Sequence, residues 1–82
     1  MNLIVLTPEK EIYQGKVASV KVPGINGSFE ILKNHAPIVA ALGSGDVRII
    51  DDKNEKVVFT IKKGFIEVLK NEVSLLVQGV KE

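Results

Sequence analysis

Val17-Ala18-Ser19-Val20-Lys21-Val22-Pro23-Gly24-Ile25-Asn26-Gly27-Ser28-Phe29-Glu30-Ile31-Leu32 carries the pattern on which the fold turns. Ala18, Val20 and Val22 alternate with Ser19 and Lys21, so one face of an extended strand is expected to be buried and the other wet. Asn26-Gly27 then supplies the strongest short-range hairpin signal, because both residues tolerate the positive φ that a two-residue turn in a twisted ribbon requires. Residues 17–23 and 28–32 are therefore expected to pair antiparallel, with Phe29 and Ile31 pointing inward and Glu30 outward.

The same period recurs on either side. Val57, Phe59 and Ile61 oppose Thr60 and Lys62, and Val73, Leu75 and Val77 oppose Ser74 and Gln78. A wholly polar run, Asp51-Asp52-Lys53-Asn54-Glu55-Lys56, separates the apolar segments 47–50 and 57–61, and Lys70-Asn71-Glu72 separates 65–69 from 73–77. Sequential antiparallel hairpins follow, and several half-buried strands require two stacked sheets or a barrel. Thr7-Pro8-Glu9 has the hydroxyl, proline and acid of a helix start, but Gly15 arrives too soon. A helix limited to residues 8–14 would be marginal, so a turn after the first strand is expected, with Ile12-Tyr13 opening the second. The aromatic residues Tyr13, Phe29, Phe59 and Phe65 alternate with apolar neighbours and are expected in the core.

Composition bounds the function. A chain of 82 residues with 45% apolar content fills one core, residues 1–82, and a second domain is excluded. Lys and Arg at 11 against Asp and Glu at 10 leave a net charge of +1, far from the basic excess of a phosphate-backbone binder. With no cysteine there is neither a disulfide framework nor a thiolate zinc site. Met1-Asn2-Leu3-Ile4-Val5-Leu6 lacks the charge-then-hydrophobe order of a secretion signal and reads as a strand. The longest apolar stretch, residues 36–42, contains Pro37 and is far shorter than the ~20 residues that cross a bilayer as a helix.

Candidate chemistry is sparse. The one histidine, His35, lies in Asn34-His35-Ala36-Pro37, where the proline holds Ala36 extended and makes the segment an ordered loop. Ser44 in Gly43-Ser44-Gly45 lacks the spacing of a nucleophile elbow and reads as a turn. One imidazole and Asp51-Asp52 do not form a zinc or calcium ligand set, and Gly24-Ile25-Asn26-Gly27 leads into a strand rather than the helix that a phosphate loop needs. What remains is surface: Ile25 at a hairpin tip either docks onto a partner or folds back over the sandwich.

The series Val22-Pro23-Gly24-Ile25-Asn26-Gly27-Ser28-Phe29, Ile31-Leu32 and Asn34-His35-Ala36-Pro37 closely resembles the epsilon subunits of bacterial F-type ATP synthases. The resemblance extends upstream through residues 3–10 with Tyr13-Gln14-Gly15, and downstream through Leu42, Gly45, Ile61, Gly64-Phe65-Ile66-Glu67-Val68, Asn71 and Val73. It implies a flattened two-sheet antiparallel β-sandwich of about ten short strands. Many members carry a further helical hairpin, and these residues are expected to form the sandwich domain alone. The resemblance further implies a non-catalytic rotor subunit without a cofactor, on the cytoplasmic face of the bacterial inner membrane, that links the gamma shaft to the c-subunit ring. By motif position, Gly24, Ile25, Asn26, Gly27 and Ser28 would face the c ring, and His35, Ala36 and Pro37 would face gamma. Glu30 stands where the family usually has Gly, and Lys33 where it often has Pro. A stand-alone barrel for a small ligand or single-stranded nucleic acid is the alternative, and it would need a basic or aromatic groove.

Overall fold

The computed structural model describes residues 1–81. Val- and Ile-rich stretches form strands β1 (Asn2–Leu6), β2 (Glu11–Gly24), β3 (Gly27–Leu32), β4 (Ile38–Leu42), β5 (Gly45–Asp51), β6 (Lys56–Ile61), β7 (Lys63–Leu69) and β8 (Glu72–Gln78). Branched side chains pack well on a pleated, half-buried surface, and the segments between them carry the polar and positive-φ residues that turn the chain.

Strand β2 organises the molecule. Its first half pairs with β1, and along its second half Val20 stands between Ile31 of β3 and Ile49 of β5. One layer is therefore β3-β2-β5-β6, and the other is β4-β7-β8-β1 with the first half of β2. All eight strands belong to one hydrogen-bonded sheet folded onto itself. The expected two-layer, all-β architecture is present with eight strands rather than about ten, because β2 runs unbroken for 14 residues and serves both layers. Pairing is antiparallel with one exception: β1 lies parallel to β8, with Leu3 opposite Val73 and Val5 opposite Leu75. The body measures 27 × 24 × 20 Å, only slightly flattened.

Between the layers lie Val20, Val22, Ile31, Val47, Ile49, Phe59 and Ile61 from one side and Leu3, Val5, Ile66, Val68, Val73, Leu75 and Val77 from the other. Each contributes about 1.5–3 kcal/mol relative to an exposed position. Val73, Leu75 and Val77 face inward as the alternation requires. Val57 does not: it is 41% exposed near the start of β6, at the rim of a small cleft that Ile12 and Tyr13 also line. The pattern at residues 17–22 is also shifted. Val17 and Ser19 are buried and Ala18 is exposed, because the ladder to β5 skips Ala18 between Val17–Asp51 and Ser19–Ile50. That irregularity places Ser19 and Val20 consecutively inside, whereas strict period-2 reading put Ala18 inside and Ser19 outside.

The turns follow local chemistry. Thr7 closes the β1–β2 turn, its backbone N–H donating to the Lys10 carbonyl at 2.8 Å and its hydroxyl accepting from the Lys10 N–H at 3.1 Å. Asp51 Oδ1 accepts from the N–H groups of Lys53 and Glu55, both at 2.8 Å, and folds the polar β5–β6 loop. Lys70 and Asn71 both take positive φ, 51° and 63°, in the two-residue β7–β8 turn.

Candidate functional site

The hairpin tip is built one residue earlier than its sequence signal implies. Gly24 pairs with Gly27, so Ile25 and Asn26 form the turn, and Gly27 alone in this hairpin takes a positive φ, 124°. Gly24 is required for space: a Cβ there would stand 2.6 Å from the Gly27 carbonyl oxygen and 2.7 Å from the Phe29 ring. The Ile25 N–H donates to the Ala41 carbonyl at 3.3 Å, and the Gly43 N–H donates to the Pro23 carbonyl at 2.8 Å. The tip is thus tied to β4 and to the following turn. Ile25 is 67% exposed and projects beside the β4–β7 sheet rather than entering the core.

That sheet face holds a feature which the sequence reading missed. Ala41 stands opposite Phe65, Phe65 opposite Leu76, and Leu76 opposite Leu6, giving an apolar row across β4, β7, β8 and β1. Phe65 is 59% exposed and Leu76 52%, so Phe65 is not a core residue. Its neighbour Ile66 takes the inward position, and alternation sends Phe65 out. Ile25 and the Thr7–Pro8 turn flank this row to form a groove of about 590 Å³, with Lys63 as its one charged residue. Val39, 71% exposed, lies further along β4 and Leu69 further along β7, but Glu67 stands between Phe65 and Leu69 and opposite Val39, so a charged residue interrupts the apolar surface there. The other aromatics divide as follows: Phe59 is buried, and Tyr13 and Phe29 are half-buried against the core.

His35 lies at the opposite end of β3 from the hairpin tip. Its ring Nδ1 lies 2.7 Å from the Ala36 carbonyl oxygen, within hydrogen-bond distance when Nδ1 carries the proton. Ala36 and Pro37 beside it are exposed. Ser44 follows β4 whereas His35 precedes it, so strand β4 separates the two and they form no nucleophile–base pair. Among the described residues no group of three or more His, Asp or Glu side chains could hold a metal ion. The groups expected to form two contact surfaces therefore sit at two ends of the body, with the apolar groove beside the hairpin tip.

Electrostatics around these surfaces are muted. Glu30 points outward as expected and pairs with Arg48 at 3.6 Å, across the row Glu30–Lys21–Arg48 formed by β3, β2 and β5. Both side chains are substantially exposed, so the pair adds little stability, but it offsets the charge that Glu30 introduces. Partial burial raises the Tyr13 hydroxyl above its ordinary pKa, and the charges of Asp51, Asp52 and Glu55 push in the same direction.

The chain matches, over residues 1–82, the family described as ATP synthase, Delta/Epsilon chain, beta-sandwich domain. It is 47% identical over 80 residues to an ATP synthase epsilon chain of Chlorobium limicola, covering 96% of this chain and 90% of the relative. It spans between 54% and 60% of the length of other epsilon-chain relatives. Among solved structures, a chain of the Euglena gracilis mitochondrial ATP synthase, determined as OSCP/F1/c-ring in rotational state 1, superposes with a TM-score of 0.90 at 21% identity, covering 96% of this chain and 51% of that one. A chain from the central stalk/c-ring structure of the Tetrahymena thermophila mitochondrial enzyme gives a TM-score of 0.83 at 18% identity, covering 99% and 65%. These structural matches show a shared fold. The family match over residues 1–82 and the 47% identical bacterial relative show that this chain belongs to the β-sandwich family of ATP synthase delta/epsilon chains.

Proposed function

We propose that the chain is a non-catalytic central-stalk subunit of an F-type ATP synthase that joins the gamma shaft to the c-subunit ring on the cytoplasmic face of the bacterial inner membrane. Family membership supports the assembly. One observation carries the mechanical role: Ile25 and Phe65, two of the three most exposed large hydrophobic residues, border one apolar groove across β4, β7 and β8, and the third, Val39, stands further along the same sheet face beside Glu67. A coupling part needs a stiff body and contact surfaces, and a close-packed sandwich with short tied loops supplies the stiffness. The apolar face supplies area whose burial stabilises a complex.

On this reading Gly24, Ile25, Asn26, Gly27 and Ser28 meet polar loops of the ring, while His35, Ala36 and Pro37, together with the apolar face, meet gamma. The chain contributes no bond-making step. It transmits rotation, so that proton flow through the ring turns the shaft. Titration of purified gamma with this chain in a calorimeter is expected to show saturable binding, weakened by Phe65→Glu with the circular dichroism spectrum unchanged. Absence of association would overturn the reading. The stand-alone binding module draws no support from the groove, which is apolar with a single lysine. A salt-dependent shift with single-stranded oligonucleotide would revive it.

A further inference from the structure

The β3–β4 loop that carries His35 is held by a closed pair of hydrogen bonds to the β7–β8 turn. The Asn34 backbone N–H donates to Asn71 Oδ1 at 2.7 Å, and Asn71 Nδ2 donates to Asn34 Oδ1 at 3.0 Å. Thirty-seven residues separate the two partners in sequence. Both take left-handed backbone conformations, φ 65° for Asn34 and 63° for Asn71, which asparagine tolerates better than other side-chain-bearing residues. Asn71 is anchored from a third direction, since its carbonyl accepts from the Asn2 N–H of β1 at 2.8 Å. On the other side of the clasp, the His35 N–H donates to the Leu32 carbonyl at 3.1 Å and closes the end of β3. One amide side chain thus links the strand end, the loop and a turn of the opposite layer.

We propose that Asn71 is a positioning residue for the partner contact at His35, Ala36 and Pro37: its side chain locks Asn34 and so presents the loop in one conformation before the partner arrives. The inference rests on the proposed assignment of that loop to gamma. A surface that is ordered in advance loses less freedom on docking, so releasing the clasp weakens binding without removing any contacting residue.

The test uses the full chain and the variant Asn71→Gly. Glycine accepts φ near 63° without strain, so the β7–β8 turn survives while both clasp hydrogen bonds are lost. Amide hydrogen exchange at Asn34 and His35 is expected to rise about tenfold or more, with the core strands unchanged. Gamma affinity is expected to fall about fivefold to tenfold. Asn34→Gly removes only the Asn71 Nδ2–Asn34 Oδ1 bond and keeps the backbone N–H that donates to Asn71 Oδ1, so its effect on both readouts should be smaller, and the double variant should be no worse than Asn71→Gly. Unchanged exchange at Asn34 and His35 in Asn71→Gly would overturn the clasp. Faster exchange with unaltered gamma affinity would overturn the positioning role while leaving the functional reading intact. Failure of the wild-type chain to bind gamma would overturn that reading and the positioning role with it.

Discussion

Gly24 and Ile25 are neighbours with opposite constraints. Gly24→Ala must push a methyl group against the Gly27 carbonyl and the Phe29 ring, and part of that crowding is against backbone that cannot rotate away. Overpacking of this kind costs about 1–3 kcal/mol, which urea denaturation will read as a lower midpoint with an unchanged slope. Ile25→Asp removes almost no internal packing, so the melting temperature should stay within a few degrees of wild type while assembly with the ring weakens. A large stability loss for Ile25→Asp would show that the tip is packed inward. Tyr13 makes a prediction about pH. Its raised pKa means that the folded chain keeps the phenolic proton at pH values where the unfolded chain has lost it. Stability from this source is fully present below the ordinary tyrosine pKa of 10.0 and declines as pH rises through and beyond it. Tyr13→Phe should flatten the alkaline arm of a stability–pH curve and leave the neutral region unchanged.

At the scale of the strand, β7 offers a direct comparison. Ile66 and Phe65 are adjacent, yet Ile66→Ala should cost about 2–5 kcal/mol through the cavity it leaves, and Phe65→Ala within about 0.5 kcal/mol. Equal losses at both positions would mean that the outer face is covered within the monomer. This element also shows where the sequence was readable. The β7–β8 turn was legible because Lys70-Asn71-Glu72 is a polar break between two alternating runs, and the turn at Thr7 because Gly15 left no room for a helix. The outward aspect of Phe65 was not legible: aromatic residues are usually buried, and a residue in Gly64-Phe65-Ile66 suits either face until the register of β7 against β4 and β8 is known. Ala18 failed for a related reason. A bulge adds one residue to a strand without a distinctive residue type, so every position before it appears on the wrong side. The hairpin tip was placed one residue late because Asn-Gly signals a tight turn without fixing which pair stands at its centre.

For the molecule as a whole, the layered all-β body followed from periodicity, but its closure did not, since parallel contact between the first and last strands has no local signature. The position of candidate contact groups at two ends likewise depends on the direction of β3, which the hairpin pattern supplied. The apolar groove beside the hairpin tip emerged only when four strands were aligned side by side. The long strand β2 gives this arrangement a mechanical consequence. A force on the tip at Ile25 enters a covalent backbone that runs through one layer into the other, flanked by β5, β3 and β1. Along such a spar the cross-links are loaded together in shear instead of being opened one after another, so torque can pass through the body with no plane along which its two halves slide apart.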